Sequence, residues 1–316
     1  MCFGGVTDTH YFRSRNNDVS PQPARIVPMN IQASSPVRVD LAGGWTDVGP
    51  YARDFGGEVV NFTINRRVIA RSSLESADEE IEYEFQTPRG SGLGTSSAMN
   101  VSRVALKSRI GELDPEEIAE KAFAAESVGG NLCGRQDQWA SALGGFNHLL
   151  FFGDNVEKIP FEPMKSAKNW LSKHLIIAYS GKSRRSGDMQ NLVWGKYSAG
   201  DEQIVEGLHI LRNSAKDMAN GLQQDRRDLV VRSLRDVCKG VDMLDSSIHM
   251  PFKGVIEPLI EVGQVVAWKA LGAGGGGCAA ILCSPSGFEA TNYSIENSGW
   301  EIIEWDFEEE GVLVEG

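Results

Sequence analysis

The sequence predicts an α+β protein built as two lobes, and three observations carry that reading. Strand-like segments crowd the stretch from Ile31 to Phe85. From Ser96 the apolar spacing lengthens to the helical period. Beyond Ser172 one apolar strand precedes long amphipathic helices and a second apolar strand, the order of a separate layered unit.

Residues 1–30 are polar and irregular, with Pro21, Pro23 and Pro28, and read as a flexible leader. Val37, Val39 and Leu41 alternate with polar neighbours as in a half-buried strand, which Gly43 and Gly44 end. Residues 58–64 and 67–71 read as two further strands and residues 81–85 as a fourth. Ala98, Val101, Val104 and Ala105 suit a helix that starts in a glycine loop. Asp114-Pro115-Glu116-Glu117 is a helix start, with a capping aspartate and proline in the first turn, and that helix should run through Ile118, Ala122 and Ala125. Residues 136–143 read as helix, and Gly144-Gly145 lead into a strand from Phe146 to Phe152. In the second half, residues 175–179 are a buried strand. Residues 201–220 and 224–247 are long amphipathic helices, and 254–271 a third helix that ends on Gly272. Cys278 to Cys283 is a strand and Trp300 to Phe307 an edge strand. The break falls between Pro160 and Ser172, dividing the chain into residues 31–165 and 166–316.

Composition narrows the function classes. The 316 residues are 41% hydrophobic and 23% charged, ordinary globular values. A formal charge of −12 argues against nucleic acid and anionic membranes as partners. No apolar run approaches a membrane span, and Met1 to Gly5 lack the regions of a signal peptide, so a cytoplasmic location is expected. Five cysteines without a CxxC pair read as buried free thiols, and five histidines without an HxxxH or HxxH pair argue against a zinc site.

Three segments carry chemistry. In Pro88 to Ala98, glycines at 90, 92 and 94 allow close approach of the backbone to a ligand. The Thr95-Ser96-Ser97 run then sits at a helix start, where free N–H groups and the helix dipole attract phosphate and hydroxyls can ligate magnesium. In Pro36 to Asp47, a strand delivers Arg38, suited to charge developing on a transferred phosphoryl, and a turn presents Trp45, Thr46 and Asp47. A carboxylate beside an indole suits a polyol. Around Cys133 to Gln138, Glu126 and Asp137 are two carboxylates near a glycine turn. One would hold magnesium and the other take a proton from an attacking hydroxyl, with a nearby cation keeping Asp137 ionised. Two patterns are set aside. Gly181-Lys182-Ser183 lacks the upstream glycine of a Walker loop, where Ile176 stands. Gly272, Gly274 and Gly277 satisfy G-x-G-x-x-G, but the segment reads as a helix followed by a strand, the reverse of a dinucleotide fold.

Together these segments, over roughly residues 31–285, resemble the GHMP kinase superfamily, which includes galactokinase, homoserine kinase, mevalonate kinase and phosphomevalonate kinase. Pro88 to Ala98 is similar to that family's phosphate loop, and Leu271 to Cys278, with Gly274 and Gly275, to its third glycine-rich motif. The Ala-Gly-Gly-Trp-Thr-Asp wording of residues 42–47 resembles the fucokinase and heptose-7-phosphate kinase branch. The resemblance implies a ribosomal-protein-like β-α lobe that binds ATP, a ferredoxin-like C-terminal lobe and an active site between them. It further implies Asp137 as catalytic base, Arg38 at the transition state, and Glu126 and Ser96 on Mg2+. Gly90, Gly92, Leu93, Gly94, Thr95, Ser96 and Ser97 would lie around the nucleotide phosphates, and Trp45, Thr46, Asp47, Gly274 and Gly275 on the substrate side. Thr95 stands where the family has serine, a departure that keeps the hydroxyl. Lys182, Arg184 and Arg185 would grip a distal phosphate, favouring the anomeric hydroxyl of a heptose 7-phosphate or similar sugar phosphate as acceptor. Rival expectations are a free-sugar 1-kinase of the fucokinase type and a sugar- and ATP-binding regulator without catalysis. The oligomeric state is open.

Overall fold

The computed structural model describes residues 30–73, 81–108, 113–128, 132–182 and 186–316. All but the last residue of the expected leader, and Arg184 and Arg185, lie outside these. The described chain runs β1 (Asn30–Ala42), α1 (Gly49–Asp54), β2 (Gly57–Ser73), β3 (Glu82–Phe85), α2 (Thr95–Lys107), α3 (Pro115–Glu126), α4 (Gln136–Leu143), β4 (Phe146–Phe152) and β5 (Asn155–Ile159). It continues with α5 (Lys165–His174), β6 (Leu175–Tyr179), α6 (Ser186–Ser198), α7 (Glu202–Gln223), α8 (Arg227–Leu244), α9 (Met250–Glu261), β7 (Val265–Ala270), β8 (Cys278–Cys283), α10 (Phe288–Asn297), β9 (Glu301–Ile302) and β10 (Leu313–Glu315). The class is α+β, as predicted.

Two sheets organise these elements. A six-stranded sheet has the order β10-β1-β2-β4-β5, with β3 also paired to β2, and a four-stranded sheet has the order β7-β8-β6-β9. The last strand of the chain therefore returns to the sheet that contains the first. Helices α2 and α4 pack on β1 and β2, and α3 packs on those two helices, around a small core that includes Val101, Ala119, Trp139 and Leu149. A larger core runs from Val39 and Phe62 of the first sheet through Leu208 and Met218 of α7 to Ile177 and Ile281 of the second.

Several local expectations are corrected. Residues 58–64 and 67–71 are one strand, β2, because its pairing with β1 continues past the register shift at Pro36, whose missing N–H interrupts only the partner ladder. The helix expected over 254–271 ends at Glu261. Gly263, at φ 74°, turns the chain, and the β-branched pair Val265-Val266 begins β7. A strand therefore precedes Gly272, and the G-x-G-x-x-G pattern is the turn of an antiparallel β7–β8 hairpin, with no helix after it. The edge strand expected from Trp300 to Phe307 is only Glu301–Ile302, and Phe307 makes an isolated bridge to Ile64. Strand β1 is also buried on both faces: Val37, Val39 and Leu41 are inaccessible, but so are Arg38 (2% exposed) and Asp40 (4%).

Asp40 is matched from the other sheet. Lys269 Nζ of β7 donates to Asp40 Oδ2 at 2.5 Å, with both side chains about 5% exposed or less. Removing one partner of a buried pair leaves an uncompensated charge. Lys269→Met is expected to cost about 3–5 kcal/mol in urea denaturation, and Asp40→Asn added to Lys269→Met should recover part of that loss. Equal stability of Lys269→Met and the parent would show that the pair does not join the sheets.

Candidate active site

The centre of the site is an ion pair between β1 and the first turn of α4. Arg38 Nε donates to Asp137 Oδ1 at 2.7 Å and Nη2 to Oδ2 at 2.8 Å, a parallel two-bond geometry that fixes the carboxylate plane. The remaining guanidinium nitrogen, Nη1, donates to the Gly92 carbonyl at 2.6 Å, so the same arginine holds the glycine loop. Burial raises the Asp137 carboxyl above the usual carboxylate range, while the Arg38 charge opposes that rise. Arg135, the arginine two residues before Asp137 in sequence, is not the cation here. It stacks on Phe123 at 4.5 Å and faces Glu120.

The glycine loop enters α2 through Gly94, which takes the left-handed conformation (φ 76°) at the N-cap. Gly92 (φ 81°) is required for a second reason. A Cβ there would stand 2.2 Å from the Leu271 carbonyl oxygen, because the loop packs directly on the β7–β8 turn. Cys278 N donates to Ser91 O at 2.7 Å across the same seam. Of the three hydroxyls, Ser96 is exposed to the cleft. Thr95 turns inward to Ser91 (3.2 Å) and Thr87 (3.3 Å), and Ser97 donates to Glu126 Oε2 at 2.8 Å. Glu126, the last residue of α3, also accepts from Gln138 Nε2 at 2.7 Å. A carboxylate and a free hydroxyl at a helix start form an all-oxygen donor set of the kind magnesium prefers, so the residues present fit that ion.

The opposite wall is the turn after β1. Trp45 holds a positive φ of 81°, unusual for a non-glycine residue, and its indole packs against Trp194 of α6 at 6.4 Å. Thr46 is fully buried. Its Oγ1 donates to the Gly43 carbonyl at 2.6 Å and accepts from Glu58 N at 3.1 Å, so it shapes the turn rather than the cleft surface. Asp47 accepts from Gln136 N at 3.1 Å and Nε2 at 3.4 Å. Burial pushes its carboxyl up to about 7, with Asp137 and Asp40 adding to the rise and the Gln136 bond opposing it.

These groups surround a cleft of about 590 Å³. It brings together Arg38, Trp45, Asp47, Gly90, Gly92, Gly94, Thr95, Ser96, Ser97, Glu126 and Asp137. It does not bring Leu93, Thr46, Lys182, Gly274 or Gly275 to the wall. Leu93 is buried beneath the loop, with its carbonyl accepting from Arg38 N at 3.0 Å. Gly274 backs onto Ile248, and the β7–β8 turn contributes Gly272 and Ala273 instead. The Lys182 side chain is exposed outside the cleft. Sequence reasoning missed Asn100, Gln136, Gln190 and Asn191, which also line the cleft. Asn100 and Gln136 sit one helical turn, or one residue, from residues it did select. Gln190 and Asn191 lie on α6, whose glycines and weak apolar periodicity hid the helix.

The fold is shared with solved kinases of sugars and of mevalonate. Residues 62–145 match the family model described as GHMP kinases N terminal domain, and the chain carries that domain. Among curated proteins it is 23% identical over 339 residues to D-glycero-alpha-D-manno-heptose 7-phosphate kinase of Campylobacter jejuni, covering 89% of this chain and 98% of the relative. It is 22% identical over 334 residues to the bifunctional fucokinase/GDP-fucose pyrophosphorylase of Arabidopsis thaliana, covering 85% of this chain but 31% of that longer protein. Among solved structures, a D-glycero-D-manno-heptose 1-phosphate kinase from Bacteriodes thetaiotaomicron superposes with a TM-score of 0.70 at 21% identity, over 90% of this chain and 99% of the other.

The raised Asp47 value makes a stability prediction. The folded state holds a proton, up to about pH 7, that an ordinary aspartate (3.8) releases on unfolding. Stability should therefore fall as pH rises from about 4 to 7, because the folded state binds the extra proton in that window. Asp47→Asn should flatten this decline. Denaturation midpoints of both proteins at pH 5 and pH 7.5 test it; parallel declines would refute the Asp47 origin.

Proposed function

We propose that this chain is an ATP-dependent sugar kinase that transfers the γ-phosphoryl to the anomeric hydroxyl of a sugar, with Asp137 as the base. The observation that carries this reading is the Arg38–Asp137 pair, which lines the same cleft as the helix start at Ser96 and the turn that carries Trp45 and Asp47. A phosphate held at the first and a sugar hydroxyl held at the second would meet at that pair. Asp137 takes the hydroxyl proton as the oxygen attacks phosphorus, and burial makes its carboxylate a stronger base than a free one. Arg38 fixes that carboxylate and faces the charge that develops on the phosphoryl oxygens. Gly90, Gly92, Gly94 and the N–H groups at the start of α2 cradle the nucleotide phosphates. Ser96 and Glu126 would hold Mg2+, which when bound offsets phosphate charge. Asp47 accepts hydrogen bonds from sugar hydroxyls while Trp45 supplies the flat wall.

A heptose 7-phosphate is the acceptor we favour. The Campylobacter jejuni relative, a heptose 7-phosphate kinase, matches nearly end to end. The basic segment with Lys182, Arg184 and Arg185 supports a distal phosphate grip, since the Lys182 carbonyl accepts from Gly277 N at 2.7 Å and so adjoins the turn that carries Gly272. A free-sugar reading rests on the fucokinase relative, which matches at nearly equal identity. We also assign residues 31–165 to an ATP-binding lobe and 166–316 to a ferredoxin-like lobe, except that β10 at the end of the second stretch returns to pair with β1 of the first.

Asp137→Asn should leave ATP binding nearly intact and lower kcat by about 100-fold or more, read by coupled ADP release with ATP binding measured alongside. An unchanged kcat would displace Asp137 from the role of base. A panel of heptose 7-phosphates, other sugar phosphates and free sugars separates the two acceptor readings. Turnover of L-fucose without turnover of heptose 7-phosphate would favour the second. Arg184→Ala with Arg185→Ala should raise KM for the sugar phosphate and spare KM for ATP; an unmoved sugar-phosphate KM would remove the distal grip.

A further inference from the structure

Away from the cleft, the second half gathers a mixed set of metal-ligating side chains. Cys238 and Asp242 stand four residues apart on α8 and so share one face of that helix. After α8 the chain reverses in a short turn, where Asp245 Oδ1 accepts from Ser247 N at 2.9 Å, and His249 is carried back toward that face. His249 is completely buried, with its ring 4.6 Å from that of Trp268. Its Nδ1 lies 3.0 Å from Asp242 Oδ1 and 3.8 Å from Cys238 Sγ, and the three donor atoms all lie within 4.8 Å of one another.

These separations are close to the edges of a zinc tetrahedron. Ordinary zinc bond lengths put nitrogen and oxygen ligands about 3.3 Å apart and nitrogen and sulfur ligands about 3.6 Å apart. Thiolate, imidazole and carboxylate together suit a borderline-soft divalent ion, whereas magnesium takes oxygen alone. Lys253 Nζ engages the other carboxylate oxygen, Asp242 Oδ2, at 3.2 Å, so Oδ1 can still serve as ligand. His249 Nε2 is buried without a hydrogen-bond partner. Zinc on Nδ1 leaves the ring proton on that Nε2; the atom a metal would use is Nδ1, which faces a thiol and a carboxylate at once.

We propose that Cys238, Asp242 and His249 form a zinc site that braces the β7–β8 turn of the cleft. The link is one residue long. The carbonyl of Ile248, next to His249, accepts from Gly275 N at 2.8 Å, and Gly274 backs onto the Ile248 side chain. Zinc held by His249 therefore stiffens the support of the turn that presents Gly272 and Ala273. Cys238 and Asp242 are only partly buried, so a water molecule completes the fourth position from the solvent side.

The test is a titration of the full chain, stripped with a chelator, by zinc chloride against a chromophoric competitor. The parent should take up one tight equivalent and gain thermal stability on binding. Cys238→Ala should weaken that site by at least about 10-fold and lose the gain, and Asp242→Asn should do the same. Both replace side chains that are only partly buried, so the test does not depend on His249→Ala folding. Cobalt(II) in place of zinc should give a sulfur-to-metal charge-transfer band that Cys238→Ala abolishes. Glu126→Gln should keep the tight site, which separates it from the magnesium position. No tight equivalent in the parent, or a tight site that survives Cys238→Ala, overturns the proposal.

Discussion

Strand β1 carries two buried charges two residues apart, Arg38 and Asp40, and much of the architecture follows from what they need. A charged group withdrawn from water must meet an opposite charge or hydrogen-bonding partners. Arg38 meets Asp137 from α4, and Asp40 meets Lys269 from β7. The first pairing places the start of α4 against the glycine loop. The second fastens the four-stranded sheet to the six-stranded one. The cleft is the space those two pairings leave.

The same charges set the electrostatics of the cleft. Among the described residues that line it, Arg38 is the cation, against Asp40, Asp47, Glu126 and Asp137. An acidic wall of that kind would repel a nucleotide triphosphate. Under the proposed function, attraction would come from backbone N–H groups at the start of α2 and from a divalent cation held on oxygen at the Ser96–Glu126 side. The raised Asp47 carboxyl reflects the same crowding, since each added negative charge makes the next harder to form.

Much of this was legible from residue order. Glycines 90, 92 and 94 ahead of three hydroxyls mark a loop entering a helix, and Asp114-Pro115 marks the start of α3, where the aspartate caps as expected and Glu117 adds the reciprocal bond of a capping box. The segments carrying Arg38, Asp47, Glu126 and Asp137 were chosen from their local chemistry, and they do converge on one cleft. What was not legible depended on contacts across the chain. Thr46 and Leu93 sit inside chemically suggestive motifs but face inward, because turn and loop need internal support. Val265 to Ala270 was read as helix because its apolar residues suit either period, and only pairing with β8 decides. The three ligands on α8 and at His249 carry no paired-histidine spacing, so no pattern announced them.

The sequence by itself determined the class of fold, the glycine loop at the start of α2 and the identity of the charged groups, since glycine conformation, helix capping and apolar period are local properties. Only the tertiary structure decided which charge meets which. Arg38 finds Asp137 although Arg135 lies two residues from it, and Asp40 is neutralised by a lysine 229 positions away. The reason is burial: in water either arginine could serve, but only Arg38 is carried by a strand into a place where leaving Asp137 would strand its charge.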